Sequence, residues 1–383
     1  MSARDARQER RVALFIWGST RLGGAERRFF RLFDHLRKSG CNIDLYTSES
    51  GAAACKALDI DLDGARVRVL AEPDKKGPRL LLYGALLIRA LRLVGQLRRD
   101  RIAHLHFGEN PGALSFLYGF LARFACPFSV SLVDSIGNYR RSFRQRLFVV
   151  VTARFAARID CLSAQIKQDL VSFLDGRYES KCLVSPCSFT DPKRALAARA
   201  DQRRDIDIAL ISRMIPGKGH RLLRDALLAV ERAGRSGLVV HVCGAGPLEQ
   251  EIRREFQAIE QQHVKIYFED EPFAVMLRTK VYVSLQDVEN YPSQSLLEAM
   301  TCGCAIVATD VGLTRQLLDE TCAVLVPRDG LALAAAVQQL LDGESLRAEL
   351  GKNAKEVVAS KHSIDRFAAY FIAGIFGRES CTG

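Results

Sequence analysis

The chain has 383 residues, which at about 100–200 residues per domain is enough for two domains with separate cores. Hydrophobic residues make up 48% and charged residues 26% of it, proportions that exclude a disordered, collagen-like or coiled-coil protein. The longest charge-free apolar stretch is the nine residues 80–88, whereas a membrane-spanning helix needs about 20. The charged N-terminus lacks the apolar segment of a signal peptide, so we expect a cytoplasmic protein.

The net charge of +11 is unevenly distributed along the chain. Residues 1–190 contain 31 Lys and Arg against 18 Asp and Glu, whereas the remaining residues contain 24 against 26. This one-sided excess of positive charge predicts a polyanionic partner for the first half, either nucleic acid or an anionic membrane surface. Because the aromatic stacking motifs of nucleic-acid binders are not apparent, we expect peripheral binding to the inner face of the membrane and no nucleic acid.

The first half alternates between short apolar runs and helical patterns. A strand at residues 12–17 is followed by a turn and by a helix whose apolar positions Phe29, Phe33 and Leu36 recur at helical spacing. Longer helical patterns occupy residues 80–97 and 143–157. This alternation predicts a parallel sheet covered by helices on both faces. The other strands of this half are predicted at residues 43–46, 67–70, 102–107, 128–133, 159–162 and 182–185.

The charged segment 191–205 has no strand pattern and is the predicted linker. The sequence therefore predicts an α/β protein of two doubly wound, Rossmann-like domains, residues 1–190 and 206–360, facing each other across a cleft. We expect residues 361–383 to form a helix that packs on the first domain. Strands of the second half are predicted at residues 206–211, 238–242, 264–268, 281–285, 305–308 and 323–326.

In doubly wound sheets ligands bind at the carboxyl ends of the strands, so the loops after strands hold the candidate residues. The turn with Gly23 and Gly24 could approach an anionic ligand or be a plain tight turn. Arg213 and Lys218 flank a Pro-Gly turn, where two cations could neutralise a diphosphate or simply be solvated. A third glycine-rich turn, at Gly244, suits close packing against a nucleotide, but many α/β proteins have such turns without a ligand.

The most specific segment leads into the helix predicted after Pro292 and Ser293. Glu298 lies in this helix among apolar neighbours, where a carboxylate needs a partner and paired sugar hydroxyls are suitable ones. Glu289, in the preceding loop, could reach the same ligand. Helix capping or simple exposure is the alternative role for each carboxylate.

The sequence predicts neither a metal site nor a cofactor. Its eleven cysteines are scattered without a Cys-x-x-Cys pair, and its seven histidines form no Cys/His cluster of zinc spacing. We expect buried, reduced thiols. His104 and His106 share one face of a strand but lack a third ligand, and a hydrogen-bonded structural role competes with a functional one.

Together these motifs resemble the family 4 retaining glycosyltransferases, the glycosyl transferases group 1, which have the GT-B fold. The resemblance covers nearly the whole chain. It rests on Gly-Gly-Ala-Glu at 23–26, His-x-His at 104–106, Cys-Leu-Ser-Ala at 161–164, Arg-x4-Lys at 213–218, Gly-x-Gly-Pro at 244–247, Leu-Leu-Glu-Ala-Met at 296–300 and Ala-Thr-Asp-Val-Gly at 308–312.

The resemblance implies a metal-independent enzyme that moves a hexose-type sugar from a nucleoside diphosphate, UDP more than GDP, to a hydroxyl of a glycan or lipid-linked acceptor. It implies a role in cell-surface polysaccharide synthesis. Arg213 and Lys218 would bind the diphosphate, and Glu298 the ribose. The other implied substrate contacts are Glu289 with the transferred sugar, the amides near Gln294 and Ser295 with phosphate, Gly244 in its turn, and Gly23, Gly24, His104, His106 and Asp134 in the first domain.

The sequence departs from the family pattern in two places. Glu289 and Glu298 are separated by eight residues rather than seven, and the usual histidine of the first domain is replaced by Val133 before Asp134. We expect the loop around residues 290–293 to bulge outward so that Glu289 still faces the sugar; otherwise Asp287 or the amides of residues 293–295 take over. Two alternatives stay open, a catalytically impaired GT-B protein that binds membrane surfaces and a sugar-nucleotide epimerase.

Overall fold

The computed structural model describes residues 11–17, 24–71, 79–108, 113–133, 143–186, 188–190, 203–260, 264–269, 272–288 and 293–378. The chain divides into two compact units, each with its own parallel sheet. Unit 1 comprises Met1–Ser188 together with Ile364–Gly383, and unit 2 comprises Phe189–Ser363. The chain therefore passes between the units twice, at residues 188–189 and 363–364.

Unit 1 is built on a seven-stranded parallel sheet. Its strands are β1 (Arg11–Ile16), β2 (Ile43–Ser48), β3 (Val67–Leu70), β4 (Ile102–Phe107), β5 (Phe128–Leu132), β6 (Arg158–Cys161) and β7 (Cys182–Val184). Their order is β3-β2-β1-β4-β5-β6-β7, so the chain runs outward from β1 and then returns to β4. The central strands are buried almost throughout, as their near-continuous apolar runs predict for a sheet covered on both faces.

Helices connect these strands. They are α1 (Gly24–Lys38), α2 (Glu49–Ala57), α3 (Arg79–Arg99), α4 (Ala113–Ala122), α5 (Phe143–Phe155) and α6 (Ala164–Phe173). Right-handed crossovers place α3, α4 and α5 on one face of the sheet, where α3 packs beside α4 and α4 beside α5. The side of α3 that carries Ala90, Leu93 and Leu97 is buried in the core of unit 1.

Unit 2 contains a six-stranded parallel sheet. Its strands are β8 (Ile206–Ile211), β9 (Leu238–Cys243), β10 (Val264–Glu269), β11 (Thr279–Ser284), β12 (Ala305–Thr309) and β13 (Ala323–Val326), in the order β10-β9-β8-β11-β12-β13. Its helices are α7 (His220–Arg232), α8 (Glu249–Glu260), α9 (Pro272–Arg278), α10 (Gln294–Thr301), α11 (Gly330–Asp342) and α12 (Glu344–Lys361). The two sheets confirm the prediction of two doubly wound, Rossmann-like α/β domains.

The described helices can be compared with the length and apolar character of a membrane-spanning helix. The longest described helix, α3, has 21 residues, but arginines interrupt its apolar positions. Within the described ranges, no helix combines the length and the apolar character that a membrane span requires.

The C-terminal segment of unit 1 consists of α13 (Ile364–Tyr370) and a π-helical turn (Phe371–Ile375), and α13 packs against α1. Asp160, a fully buried carboxylate on β6, accepts hydrogen bonds from the hydroxyls of Ser131 (2.6 Å), Ser185 (2.6 Å) and Tyr370 (2.8 Å). Arg28 of α1, also buried, donates to Ser185 (2.9 Å) and lies 3.9 Å from the carboxylate. Because a charge removed from water needs such partners, this network fastens the C-terminal segment to the sheet.

Replacing Tyr370 with Phe should lower the free energy of unfolding by about 1.5–3 kcal/mol, because the buried Asp160 carboxylate loses a hydrogen-bond donor. Denaturant-induced unfolding followed by circular dichroism measures the change. Tyr178→Phe is the matched control, since Tyr178 contacts Lys181 and the core of unit 1 through its ring, which the substitution keeps. Equal stability of the two variants would contradict the role given to the Tyr370 hydroxyl.

Candidate functional site

The carboxyl ends of β8, β9 and β11 are neighbours in unit 2, because β8 pairs with both other strands. The loops that follow these strands therefore meet at one edge of the sheet. These loops carry Arg213 and Lys218 after β8, Gly244 after β9, and Gln286 and Asp287 after β11. The edge thus brings together the cations and the glycine turn that the sequence singled out.

The loops after β8 and β9 lie directly against each other, and glycine makes this approach possible. Gly244 has a φ of +139°, and a Cβ there would overlap the carbonyl oxygen of Ser212. A Cβ at Gly246 would likewise overlap the carbonyl group of Met214. The backbone N–H of Met214 donates to the carbonyl oxygen of Ala245 (3.0 Å). The backbone on either side of Arg213 is therefore fixed by the neighbouring loop.

The two cations of this edge are held in different ways. Arg213 is exposed and forms no ion pair within the part of the chain that the structure describes. Lys218 is half-buried, and its Nζ donates to Oε1 of Gln286 (2.8 Å). Gln286 is fixed in turn, because its backbone N–H and carbonyl both bond to the hydroxyl of Thr309 (2.9 and 2.8 Å). Two positive charges therefore lie on loops that neighbouring residues hold in place at the edge of the sheet.

Glu298 lies on α10, as predicted, and is half-buried between the buried residues Leu297 and Ala299. Its Oε1 accepts a hydrogen bond from Nε2 of Gln294 (3.3 Å), one turn earlier. The same amide nitrogen donates to the carbonyl oxygen of Phe189 (3.1 Å). Gln294 therefore joins the candidate carboxylate to the first residue of unit 2.

Ser295 occupies the first turn of the same helix and lies near the hydroxyl of Tyr282 on β11. That hydroxyl donates to the carbonyl oxygen of Ile211 at the end of β8 (3.2 Å). The start of α10 therefore lies near the carboxyl end of the central strand. This arrangement places the first backbone amides of α10 beside the edge that carries the cations.

Arg204, which lies in the predicted linker, forms hydrogen bonds at the C-terminal end of α10. Nη2 of Arg204 donates to the carbonyl oxygens of Cys302 (2.7 Å) and Gly303 (3.0 Å), while Nη1 donates to that of Thr279. A cation that caps the last carbonyls of a helix satisfies groups that the helix itself cannot pair. Sequence reasoning missed this residue, because its partners lie about a hundred positions further along the chain.

The carboxylate of Asp287 is already engaged. Its Oδ1 forms an ion pair with Nη2 of Arg328 (2.9 Å), and its backbone N–H donates to the carbonyl oxygen of Gly217 (3.0 Å). Arg328 follows β13, and nothing in its sequence context signalled this contact. Glu289, the carboxylate predicted to face the transferred sugar, lies outside the described residues.

Among the candidates in unit 1, Gly23 and Asp134 lie outside the described residues, and Gly24 begins α1. His104 and His106 are both buried, the second completely. The hydroxyl of Ser129 bonds to Nε2 of His104 (2.8 Å) and to Nδ1 of His106 (2.8 Å). These contacts favour the hydrogen-bonded structural role that the sequence left open for the pair.

Burial determines the charge state of both histidines. It lowers the pKa of His104 to about 4, helped by the nearby cations Arg158 and Arg378. It lowers the pKa of His106 well below the ordinary value, helped by His104 and Arg28. Both imidazoles are therefore neutral at pH 7.

Because both histidines stay neutral when folded, acid should weaken unit 1. The unfolded chain binds protons at these imidazoles near pH 6.5, whereas folded His104 binds one only near pH 4. The free energy of unfolding should therefore fall between pH 6.5 and 4, and His104→Gln should make that fall shallower. Urea unfolding at a series of pH values measures the slope, and parallel curves for the variant and the parent would contradict the assignment.

Two findings concern possible metal ligands. No group of three or more His, Cys, Asp or Glu side chains in the described part of the chain is arranged to hold a metal ion. Eight cysteines there are free and buried, as expected of reduced thiols, whereas Cys41 is disulfide-bonded, contrary to that expectation. Arg213 and Lys218 give the edge of unit 2 the positive charge that an anionic group such as a phosphate requires.

Two protein-family models match the chain. The glycosyl transferase 4-like domain matches residues 23–170, in unit 1, and the glycosyl transferases group 1 model matches residues 196–357, in unit 2. The chain is 23% identical over 368 residues to O-antigen chain mannosyltransferase C of Escherichia coli. The aligned region covers 90% of this chain and 93% of that protein.

Solved structures show the same architecture. Anabaena HepE in complex with UDP-glucose is 18% identical, with a TM-score of 0.72 over 95% of this chain and 99% of its own. A variant of S. aureus TarM in complex with fondaparinux, alpha-GlcNAc-glycerol and UDP is 13% identical, with a TM-score of 0.71 over 96% and 99%. With a family match on each unit, the chain belongs to the group 1, family 4 glycosyltransferases and has the GT-B fold.

Proposed function

We propose that this glycosyltransferase moves a hexose-type sugar from a nucleoside diphosphate, UDP more than GDP, to a hydroxyl of a glycan or lipid-linked acceptor, with retention at the anomeric carbon. The observation that carries the proposal is the placement of Arg213 and Lys218 on a loop whose backbone packs on the Gly244 turn. Such a loop presents two cations to a diphosphate without needing to rearrange.

The reaction breaks the bond between the anomeric carbon and the diphosphate oxygen, so negative charge grows on the departing phosphate. Arg213 and Lys218 neutralise this charge, and the acceptor hydroxyl attacks from the face that the diphosphate leaves, passing its proton to the departing phosphate oxygen. In this proposal Arg213 and Lys218 supply the positive charge that the departing phosphate needs, so the mechanism uses neither a covalent intermediate on Asp or Glu nor a metal.

Glu298 binds the ribose hydroxyls in this proposal. Its carboxylate is half-buried and receives a hydrogen bond from Gln294, which leaves acceptor capacity for a hydroxyl. The amides near Gln294 and Ser295, at the start of α10, contact phosphate. Donor binding thus combines the cations of one loop with the first turn of the neighbouring helix.

The similar proteins support the donor class and the biological setting. HepE is solved with UDP and with UDP-glucose, and the TarM variant with UDP, which supports a UDP-sugar donor. The similarity to an O-antigen chain mannosyltransferase supports a role in cell-surface polysaccharide synthesis. The positive charge of residues 1–190 supports a location on the inner face of an anionic membrane, where a lipid-linked acceptor is found.

A panel of nucleotide sugars tests the proposal directly. The donor should raise the melting temperature of the purified chain, because a ligand that binds only the folded state stabilises it. Incubation with the stabilising donor and an acceptor should release the nucleoside diphosphate. A product that keeps its nucleotide would instead indicate the epimerase, and the absence of any stabilisation would favour a catalytically impaired, membrane-binding protein.

Arg213→Ala and Lys218→Ala should each lower turnover by about 10²–10³-fold while weakening donor binding less, because their charge acts chiefly as the phosphate departs. Initial rates over a range of donor concentrations separate the two effects. Arg232→Ala, at an exposed arginine at the end of α7, is the matched control. Unchanged turnover in the Arg213 and Lys218 double variant would refute the mechanism.

Glu289→Gln should cut transfer by about 10–100-fold and leave affinity for the nucleoside diphosphate nearly intact, because only the sugar hydroxyls lose a charged acceptor. Asp287→Asn should affect transfer less, since the carboxylate of Asp287 is occupied by Arg328. The test measures the transfer rate and the affinity for the nucleoside diphosphate in both variants and compares them with the parent. An active Glu289 variant alongside an inactive Asp287 variant would show that Asp287 faces the sugar.

A further inference from the structure

The layer of α3, α4 and α5 on unit 1 has an unusual distribution of charge. Five arginines lie on α3 and three on α5, and none of the three helices contains an Asp or Glu. Most surface helices mix both signs of charge, which keeps the local potential small. Because no carboxylate of this layer opposes the arginines, its outer surface is strongly positive.

The same outer surface exposes large apolar side chains. On α5, Phe143, Leu147 and Val150 recur at positions i, i+4 and i+7, and Phe143 is 81% exposed. They form one stripe along the helix. Arg146 and Arg154, both exposed, fall on that stripe at i+3 and i+11. The face therefore alternates apolar and cationic groups instead of segregating them.

The neighbouring helix α3 repeats this arrangement. Leu87, Ile88 and Leu91 are each about half-exposed, while the opposite side of the helix is buried in the core. Arg92 and Arg98 continue the exposed side towards the C-terminus of the helix. Seven of the twelve large hydrophobic residues exposed in the described part of the chain lie on α3, on α5 or at the end of α4.

A cluster of aromatic residues at the end of α4 forms the third part of this surface. Phe124 is 55% exposed, and Nη2 of Arg98 donates to its backbone carbonyl (2.9 Å). The guanidinium of Arg123 lies over the rings of Phe120 (4.6 Å), Phe124 (4.7 Å) and Phe155 (4.3 Å). These contacts join α3, α4 and α5 and hold an aromatic ring at the surface beside cations.

We infer that this arginine–apolar face, defined by the exposed residues of α3, α5 and the end of α4, rests on an anionic lipid bilayer and inserts its apolar side chains among the acyl chains. The inference deepens the membrane location in the proposed function, on which it rests. The exposed residues of α3, α5 and the end of α4 are the contact surface, and their apolar side chains contribute to binding in addition to the attraction between arginines and lipid headgroups.

A bilayer is the partner that matches both properties of the face. Anionic headgroups complement arginines, and the acyl boundary just below them accepts leucine and phenylalanine side chains. Arginine stems can lie along apolar surface while their guanidinium groups stay at the headgroups, so alternation of the two types is favourable there. A nucleic acid would use the charge but leave the aliphatic stripe exposed, and an apolar protein partner would bury arginines without carboxylates.

The test compares sedimentation of the full chain with phosphatidylglycerol vesicles and with phosphatidylcholine vesicles. Phe143→Ser, Leu147→Ser and Val150→Ser combined should lower the bound fraction on phosphatidylglycerol about tenfold, and the loss should persist at high salt. Arg146→Gln with Arg154→Gln should weaken binding at low salt. Leu331→Ser, at a residue 72% exposed on α11 of unit 2, is the matched control and should bind as the parent does.

Three results would overturn the inference. They are unchanged vesicle binding of the triple serine variant, equal binding of the parent to both kinds of vesicle, and a dimer of the parent that the triple serine variant converts to monomer in size-exclusion chromatography. Stabilisation by the nucleotide sugar is measured on every variant in vesicle-free solution and should stay at the parent value. Loss of vesicle binding with normal donor stabilisation, or the reverse, keeps this inference separate from the proposed transfer activity.

Discussion

The contact between the carbonyl of Ser212 and the backbone of Gly244 is the constraint on which the candidate site depends. No side chain can occupy the space between the two loops, so the loop after β8 takes its shape from the loop after β9. Arg213 follows directly in the sequence, and its cation therefore starts from a fixed backbone. Backbone hydrogen bonds hold this loop, and the Nζ of Lys218 donates to the neutral side-chain amide of Gln286.

The strands and the site loops could be predicted because a buried parallel strand is a nearly continuous apolar run between polar or glycine-rich turns. The predicted limits of β4, β8 and β13 equal those of the structure. Once the strands were located, the rule that ligands bind at their carboxyl ends was enough to select Arg213, Lys218 and Gly244. The position of Glu298 on a helix followed from Pro292 and Ser293, which are typical of a helix start.

Contacts between residues far apart in the sequence could not be predicted. Arg204 was assigned to a charged linker and Arg328 was not singled out, because no periodic pattern in the sequence indicates a partner so far along the chain. The two-residue period of a strand predicts that His104 and His106 lie on one face of the sheet, but it does not indicate which residues cover that face. The ring of Phe371, from the C-terminal segment, lies 4.8 Å from that of His106 and helps to close this face.

The two passages of the chain between the units are joined within unit 2. Thr190 pairs with Ser363, so the outgoing and the returning segments run side by side. Thr190 also bonds to Thr301, and Arg204 caps the end of the same helix, so the chain is fastened to α10 at both of these residues. An insertion between Thr190 and Arg204 would therefore carry only the small, logarithmic entropic cost of a longer connection between two fixed points, and it would leave both crossings between the units unaltered. A deletion at residues 188–189 would shorten one of those crossings directly, since the returning segment is paired to the same place.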